Sequence, residues 1–155
     1  SAQMIQEITC PQRRREIAQA VLSALPEWFG LPESTGEYVR LCGAAPFWAA
    51  MVENRPAGFI AMKETSPCTA EILVMGVLPQ YHRRGLGRAL WQALYSRAQS
   101  LGYEFLQVKT VRQGCYPEYD RTNAFYRALG FRELECFPTL WDAHNPCQIY
   151  VMSIK

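Results

Sequence analysis

Apolar positions recur along this chain with two different periods, and the changes of period divide it into strands and helices. Residues 4–9 alternate as a first strand. Pro11 suits the first turn of a helix, and Ile17, Val21 and Leu25 then fall at four-residue steps down one face. A short second helix is expected over 35–42. Residues 47–53 and 58–63 are apolar runs around Asn54-Arg55-Pro56-Ala57, which reads as a hairpin. Thr69–Val77 is apolar on both parities, as a strand covered on both faces would be. A helix over 85–101 carries Leu86, Leu90 and Leu94 at four-residue steps, with Gly102 as its stop. A strand over 104–111, a short helix over 120–129 ended by Gly130, and strands over 131–136 and 148–154 complete the chain. The order predicts one mixed α/β domain spanning 1–155, with no repeats and no internal boundary.

Composition narrows the function classes. With 155 residues, 49% hydrophobic and 19% charged, the chain can build a core. A formal charge of +2 argues against nucleic acid or a membrane surface as main partner. No apolar run approaches the roughly 20 residues of a membrane span, and no leader is visible, so a cytoplasmic location is expected. Ser1-Ala2-Gln3 precede the first methionine and read as a cloning remnant. The six cysteines (Cys10, Cys42, Cys68, Cys115, Cys136, Cys147) are scattered and read as reduced packing residues. Cys115, in a polar loop, is the one candidate for reactivity. Asp142-Ala143-His144 is too sparse for a metal site, and no metal is expected. Arg13-Arg14-Arg15 near a helix start reads as a solvated face.

The stretch from Val77 to Leu90 carries the chemistry. A buried strand leads through a short loop into a helix whose first turn holds Gly85 and Gly87. Glycines there let backbone N–H groups face a common point, and the unpaired N–H groups of a first turn make an anion site. Arg83, Arg84 and Arg88 add charge that suits phosphate. A nucleotide P-loop would need Lys-Ser or Lys-Thr where Arg88-Ala89 stands. A dinucleotide fingerprint would need a small residue at Leu90 and its first glycine directly after the strand. Both fail. A plain helix start without a ligand is the bland alternative.

The loop resembles the acyl-CoA pyrophosphate loop of the GNAT superfamily of N-acetyltransferases, Gln/Arg-x-x-Gly-x-Gly/Ala. Gly85 and Gly87 match, and His82 stands where the pattern prefers Gln or Arg. The resemblance runs from Pro56-Ala57-Gly58-Phe59-Ile60 to Phe131. Its second motif is Asn123-Ala124-Phe125-Tyr126-Arg127-Ala128-Leu129-Gly130-Phe131, similar to a family helix where an asparagine and a tyrosine border the cofactor. Spacing puts Asn123 and Tyr126 on one face and Phe125 and Leu129 on another. One stripe is expected to enter the core while Asn123 and Tyr126 present an amide and a phenol to a cleft. The resemblance implies a mostly antiparallel six- or seven-stranded sheet, splayed at its centre, with helices on both faces. It implies acetyl-CoA as co-substrate, held by the segment His82, Arg83, Arg84, Gly85, Leu86, Gly87 and Arg88, by Asn123 and Tyr126, and by a bulged strand around Met75, Val77 and Leu78.

Attack on a thioester needs a neutral amine, whereas an alkylammonium has a pKa near about 10.4. A base should therefore take its proton, and the leaving thiolate benefits from an acid. The resemblance implies Tyr126 as that acid. Glu71 is the candidate base: it lies on the strand leading into the loop, on the parity of Leu73, Met75 and Val77, and a carboxylate there has a partner or a raised pKa. Its alternatives are a solvated strand-end glutamate and deprotonation through a water chain. For the acceptor, Trp28, Phe29, Phe47, Trp48, Tyr116, Tyr119 and Trp141 could line an amine pocket, with Glu118 and Asp120 supplying charge. Residues 115–120 are the expected substrate-facing loop. The expected function is direct acetyl transfer to a small-molecule or peptide amine, and a homodimer is compatible with it. A non-catalytic acyl-CoA-binding module and a protein- or tRNA-directed acetyltransferase stay open.

Overall fold

The computed structural model describes residues 3–29 and 32–155. Ser1 and Ala2 of the expected remnant, and the side chain of Phe29, lie outside the described residues. Elements follow in the order β1 (Gln3–Glu7), α1 (Pro11–Ser23), α2 (Pro26–Phe29), α3 (Pro32–Cys42), β2 (Phe47–Val52), β3 (Arg55–Ser66), β4 (Thr69–Val77), α4 (Leu86–Ser100), β5 (Phe105–Val111), α5 (Pro117–Leu129), β6 (Arg132–Asp142) and β7 (Asn145–Ser153), with a 3-10 turn at Pro79–Tyr81. The seven strands make one open sheet in the order β1-β2-β3-β4-β5-β7-β6. Every neighbouring pair is antiparallel except β4 and β5.

Two cores form because strand residues alternate between faces. On one face Phe47, Ala49, Phe59, Ala61 and Val74 pack with Ile17, Val21 and Leu22 of α1 and Cys42 of α3. On the other, Ile60, Ile72, Leu106 and Val108 pack with Leu86, Leu90 and Leu94 of α4 and Tyr126 and Leu129 of α5. The hairpin between β2 and β3 turns one step earlier than the sequence suggests. Glu53 and Asn54 take the positive φ values (51° and 66°) that match a tight turn to the twist of its strands, so Arg55 to Ala57 already belong to β3.

The feature that shapes the site is a parting of strands. β4 and β5 pair at only four positions, Thr69↔Phe105 to Ile72↔Val108. β3 pairs Met62 with Ile72 and Ala61 with Val74, leaving Leu73 as an extra bulged residue on β4. Past it β4 stays with β3 while β5 stays with β7, and the two middle strands diverge. Of the arginine run expected to be solvated, Arg14 is instead a tie: its Nε donates to Ile8 O at 2.7 Å and its Nη1 to Gly43 O at 3.1 Å. Among the described residues, no helix is long and apolar enough to cross a membrane.

Candidate functional site

The phosphate-type loop sits at the mouth of the parted strands. Leu78 N–H donates to Ala57 O on β3 at 2.8 Å. By strand alternation, the N–H and C=O groups of Met75 and Val77 then face the open edge toward β5. Leu78, expected among the strand residues around the cofactor, thus has its amide taken by the sheet. The Tyr81 amide donates to Leu78 O at 2.9 Å and the His82 amide to Pro79 O at 3.2 Å. His82 Nε2 lies 2.7 Å from Val77 O, and because a carbonyl only accepts, that nitrogen carries the proton. Both groups of His82 are thus committed inside the loop.

Beyond His82 the backbone opens. Arg83 and Gly85 have φ values of 64° and 75°, and α4 begins at Leu86. The first ladder bond from this turn is Ala89 N–H to Gly85 O at 3.1 Å, and among the described residues no acceptor meets the amides of 83–88. Successive N–H groups that alternate between left- and right-handed backbone form an anion-binding concavity. The guanidiniums flank it with different duties. Arg83 is exposed, Arg84 lies 5.2 Å from the centre of the Tyr81 ring, and Arg88 Nη2 donates to Ala128 O of α5 at 3.4 Å. Gly87 is tightly placed: a Cβ there would lie 3.2 Å from Phe125 Cζ and 3.8 Å from Met75 Cε.

α5 corrects the expectation about its faces. Asn123 is fully buried, its Nδ2 donating to Val111 O (2.9 Å) and Tyr119 O (2.6 Å) while its Oδ1 accepts from Tyr150. That amide ties α5 to β5 and β7 and offers nothing to a cleft. It is Phe125 that is half-buried, against Gly87. Tyr126 is 6% exposed among the rings of Phe125, Phe131 and Tyr150, at 5.6, 5.7 and 6.3 Å. Burial, then the neighbouring phenols of Tyr38 and Tyr119, push its pKa up, so it stays protonated at neutral pH.

Glu71 is buried, not solvated, with Gln107 Nε2 donating to Oε1 at 2.7 Å and Lys109 Nζ at 3.4 Å. Its parity differs from the one read along the sequence. The Leu73 bulge inverts the alternation, so Met75 and Val77 share a face with Ile72 and the α4 core. Glu71 projects to the opposite face, with Gln107 and Lys109. Tyr38 of α3 lies close to it: burial, then the charge of Glu71 and of Cys147, push the Tyr38 phenol up. Tyr38 also raises the Tyr126 phenol, after burial. Tyr38, Gln107 and Lys109 carried no sequence signal, since their contacts to the site are all long-range.

On the acceptor side, Trp28 Nε1 donates to Glu118 O (3.3 Å) and Thr122 Oγ1 (3.2 Å), and Tyr119 OH returns to Trp28 O at 3.0 Å. Tyr116 packs edge-on to Tyr119 at 6.1 Å and its hydroxyl donates to His144 O at 3.3 Å. Trp28, Tyr116 and Tyr119 are thus brought together. Phe47 and Trp48 are not: Phe47 stacks on Phe59 at 5.1 Å, and Trp48 is buried in the α4 core. Trp141 is exposed on β6. Asp120 accepts from Gly114 N–H at 2.7 Å and orders the loop before α5. Asp142 caps its hairpin turn through His144 N–H and Asn145 Nδ2. An open groove of about 470 Å³ lined by Gln12, Arg15, Glu16, Gln19, Ala20 and Val39 shares no residue with this site.

Comparison with known proteins bears on this geometry. The profile of the Acetyltransferase (GNAT) family matches residues 11–131. An N-acetyltransferase of Bacillus subtilis without characterised activity, YsnE, is 29% identical over 99 residues, 64% of this chain and 64% of its own. The N-alpha-acetyltransferase RimI of Mycobacterium tuberculosis is 33% identical over 78 residues, 50% of this chain and 44% of its own. The matched stretch therefore spans less than two thirds of either relative. A structure from Desulfovibrio desulfuricans assigned to the GNAT family superposes with a TM-score of 0.85 at 20% identity, covering 99% of this chain and 100% of that one. The ribosomal-protein-S18-alanine N-acetyltransferase of Escherichia coli gives 0.77 at 19%, covering 99% and 95%. A GNAT family acetyltransferase of Elizabethkingia anophelis with acetyl-CoA bound gives 0.73 at 16%, covering 97% of each. These superpositions establish a shared fold.

Proposed function

Because the chain belongs to the Acetyltransferase (GNAT) family, we propose that it transfers an acetyl group from acetyl-CoA to a primary amine by direct attack. The observation that carries this reading is the run of amides over 83–88 without protein acceptors, beside the open edge of β4. Those amides, with Arg83 and Arg84, receive the diphosphate. Met75 and Val77 offer their N–H groups to the pantetheine arm, which adds along β4 like a short extra strand. The same edge supplies a donor to the acetyl oxygen. Asn123, its amide used within the fold, holds α5 in place.

Glu71 takes the proton from the incoming ammonium, directly or through water. Tyr126, protonated at neutral pH, gives its proton to the departing thiolate, and the second proton, shed by the newly acetylated nitrogen, restores the phenol. No acyl-enzyme is invoked, because among the described residues no Ser or Cys is paired with a base. The aromatic group of Trp28, Tyr116 and Tyr119 borders the amine's side of the site. The names of structural neighbours cover an alanine of a ribosomal protein and an aminoglycoside. A small-molecule or peptide amine fits this chain, and the family does not choose between them. A screen of polyamines, amino acids, aminoglycosides and peptides with acetyl-CoA, reading thiol release, tests the activity. Release above the acceptor-free rate is expected for at least one class. No release with any class, despite CoA binding, favours a non-catalytic acyl-CoA-binding module.

A further inference from the structure

We propose that His82 is a positioning residue: its imidazole pins the phosphate loop to the end of β4 and so holds the amides of 83–88 in the pose that receives the diphosphate. The inference rests on the acetyl-CoA reading above. Val77 O lies on the open edge of β4, where the parting from β5 leaves it without a strand partner. Left bare, that carbonyl would be an unpaired acceptor at the start of the loop. The His82 ring donates to it at 2.7 Å, neutralising the acceptor and closing a ring of residues from 77 to 82. Inside the ring, Tyr81 N–H to Leu78 O and His82 N–H to Pro79 O leave little freedom.

The residue that follows explains why a pin is needed. Arg83 holds φ at 64°, a left-handed conformation that a non-glycine residue keeps only when its surroundings enforce it. On its far side, the left-handed Gly85 leads directly into α4. On its near side, the described bonds that hold it all pass through His82. Released there, Arg83 can relax, and the amides after it turn away from their common point. A direct phosphate contact by this imidazole is less compatible with the geometry. With Nε2–H committed to Val77 O, that nitrogen has no proton left for a phosphate oxygen.

The test compares full-length wild type, His82→Ala and His82→Gln, the last keeping a side-chain N–H donor. CoA is titrated by calorimetry, and pantetheine, which has the arm but no phosphate, by NMR. His82→Ala is expected to bind CoA about tenfold more weakly, the scale of one lost hydrogen bond, with pantetheine affinity unchanged. His82→Gln is expected to recover CoA affinity to within about threefold of wild type. Equal CoA binding by wild type and His82→Ala overturns the proposal, as does an equal loss for CoA and pantetheine. If His82→Ala does not fold, the glutamine variant decides: near-wild-type CoA affinity supports the pin, and a tenfold loss overturns it. Wild type that binds neither CoA nor acetyl-CoA removes the acetyl-CoA reading itself, and this inference falls with it.

Discussion

Glu71 keeps a carboxylate in a largely apolar sheet because Gln107 and Lys109 reach it from the neighbouring strand, at 2.7 and 3.4 Å. A buried carboxylate held in this way has its hydrogen-bonding capacity met without solvent. Glu71→Gln keeps the shape and removes the basicity. Turnover at neutral pH is expected to fall on the order of 10²-fold with CoA affinity kept, and part of the gap should close at high pH, where more of the amine is already neutral. One shared pH–rate curve for wild type and variant would assign the deprotonation to water. Tyr126→Phe keeps the ring among Phe125, Phe131 and Tyr150 and removes only the proton. Its turnover should also drop about 10²-fold when chemistry limits the rate, again without loss of CoA. Unchanged turnover would make Tyr126 a packing residue. Legibility at this scale was uneven for a physical reason. Tyr126 lies in a local motif, whereas the direction of Glu71 depends on one bulge that no run of residues announces, and the neighbourhood of Glu71 depends on three separate elements.

The elements that matter most are those whose ends are fixed by backbone chemistry. Pro11 opens α1, and the left-handed Gly130 closes α5 at φ 109°, so both boundaries were readable from the residues. α2, with four residues, is too short to show a helical period. β6 runs to Asp142 with nearly every side chain exposed, so its hydrophobic pattern does not alternate and its length could not be read. The start of α4 depends on Gly87, whose missing Cβ leaves room for Phe125 and Met75. Gly87→Val should weaken CoA binding by more than about tenfold. Two causes are separable there: the valine also presses on Phe125. The double variant Gly87→Val/Phe125→Leu should stay weak, measured by calorimetry, if blocked backbone approach is the cause. Recovery in the double variant would locate the effect in the packing of α5 on α4.

Across the whole molecule, the seven-stranded sheet parts at the parallel pair of β4 and β5, with helices packed on both of its faces. The mixed class and the sequence of elements were legible from hydrophobic period. The insertion of β7 between β5 and β6, and the meeting of Trp28 with Tyr119, were not, because pairing and packing across long separations leave no local mark. Burial also sets how the fold responds to alkali. Desolvation raises the Cys42 thiol to about 12, the Cys147 thiol to about 11 and the Tyr119 phenol to about 12. The unfolded chain releases these protons first, near about 9 for thiols and about 10 for phenols, so their contribution is whole below about pH 9 and is lost as pH rises toward 11–12. The melting temperature should therefore fall steadily from pH 9 upward, and a flat profile to pH 11 would contradict the burial of these groups. The most direct test of the account remains calorimetric titration of the wild-type protein with CoA and acetyl-CoA at low and high salt. Binding to both that weakens as salt screens the loop's arginines is the predicted result; no heat of binding with either ligand at any salt concentration would contradict it.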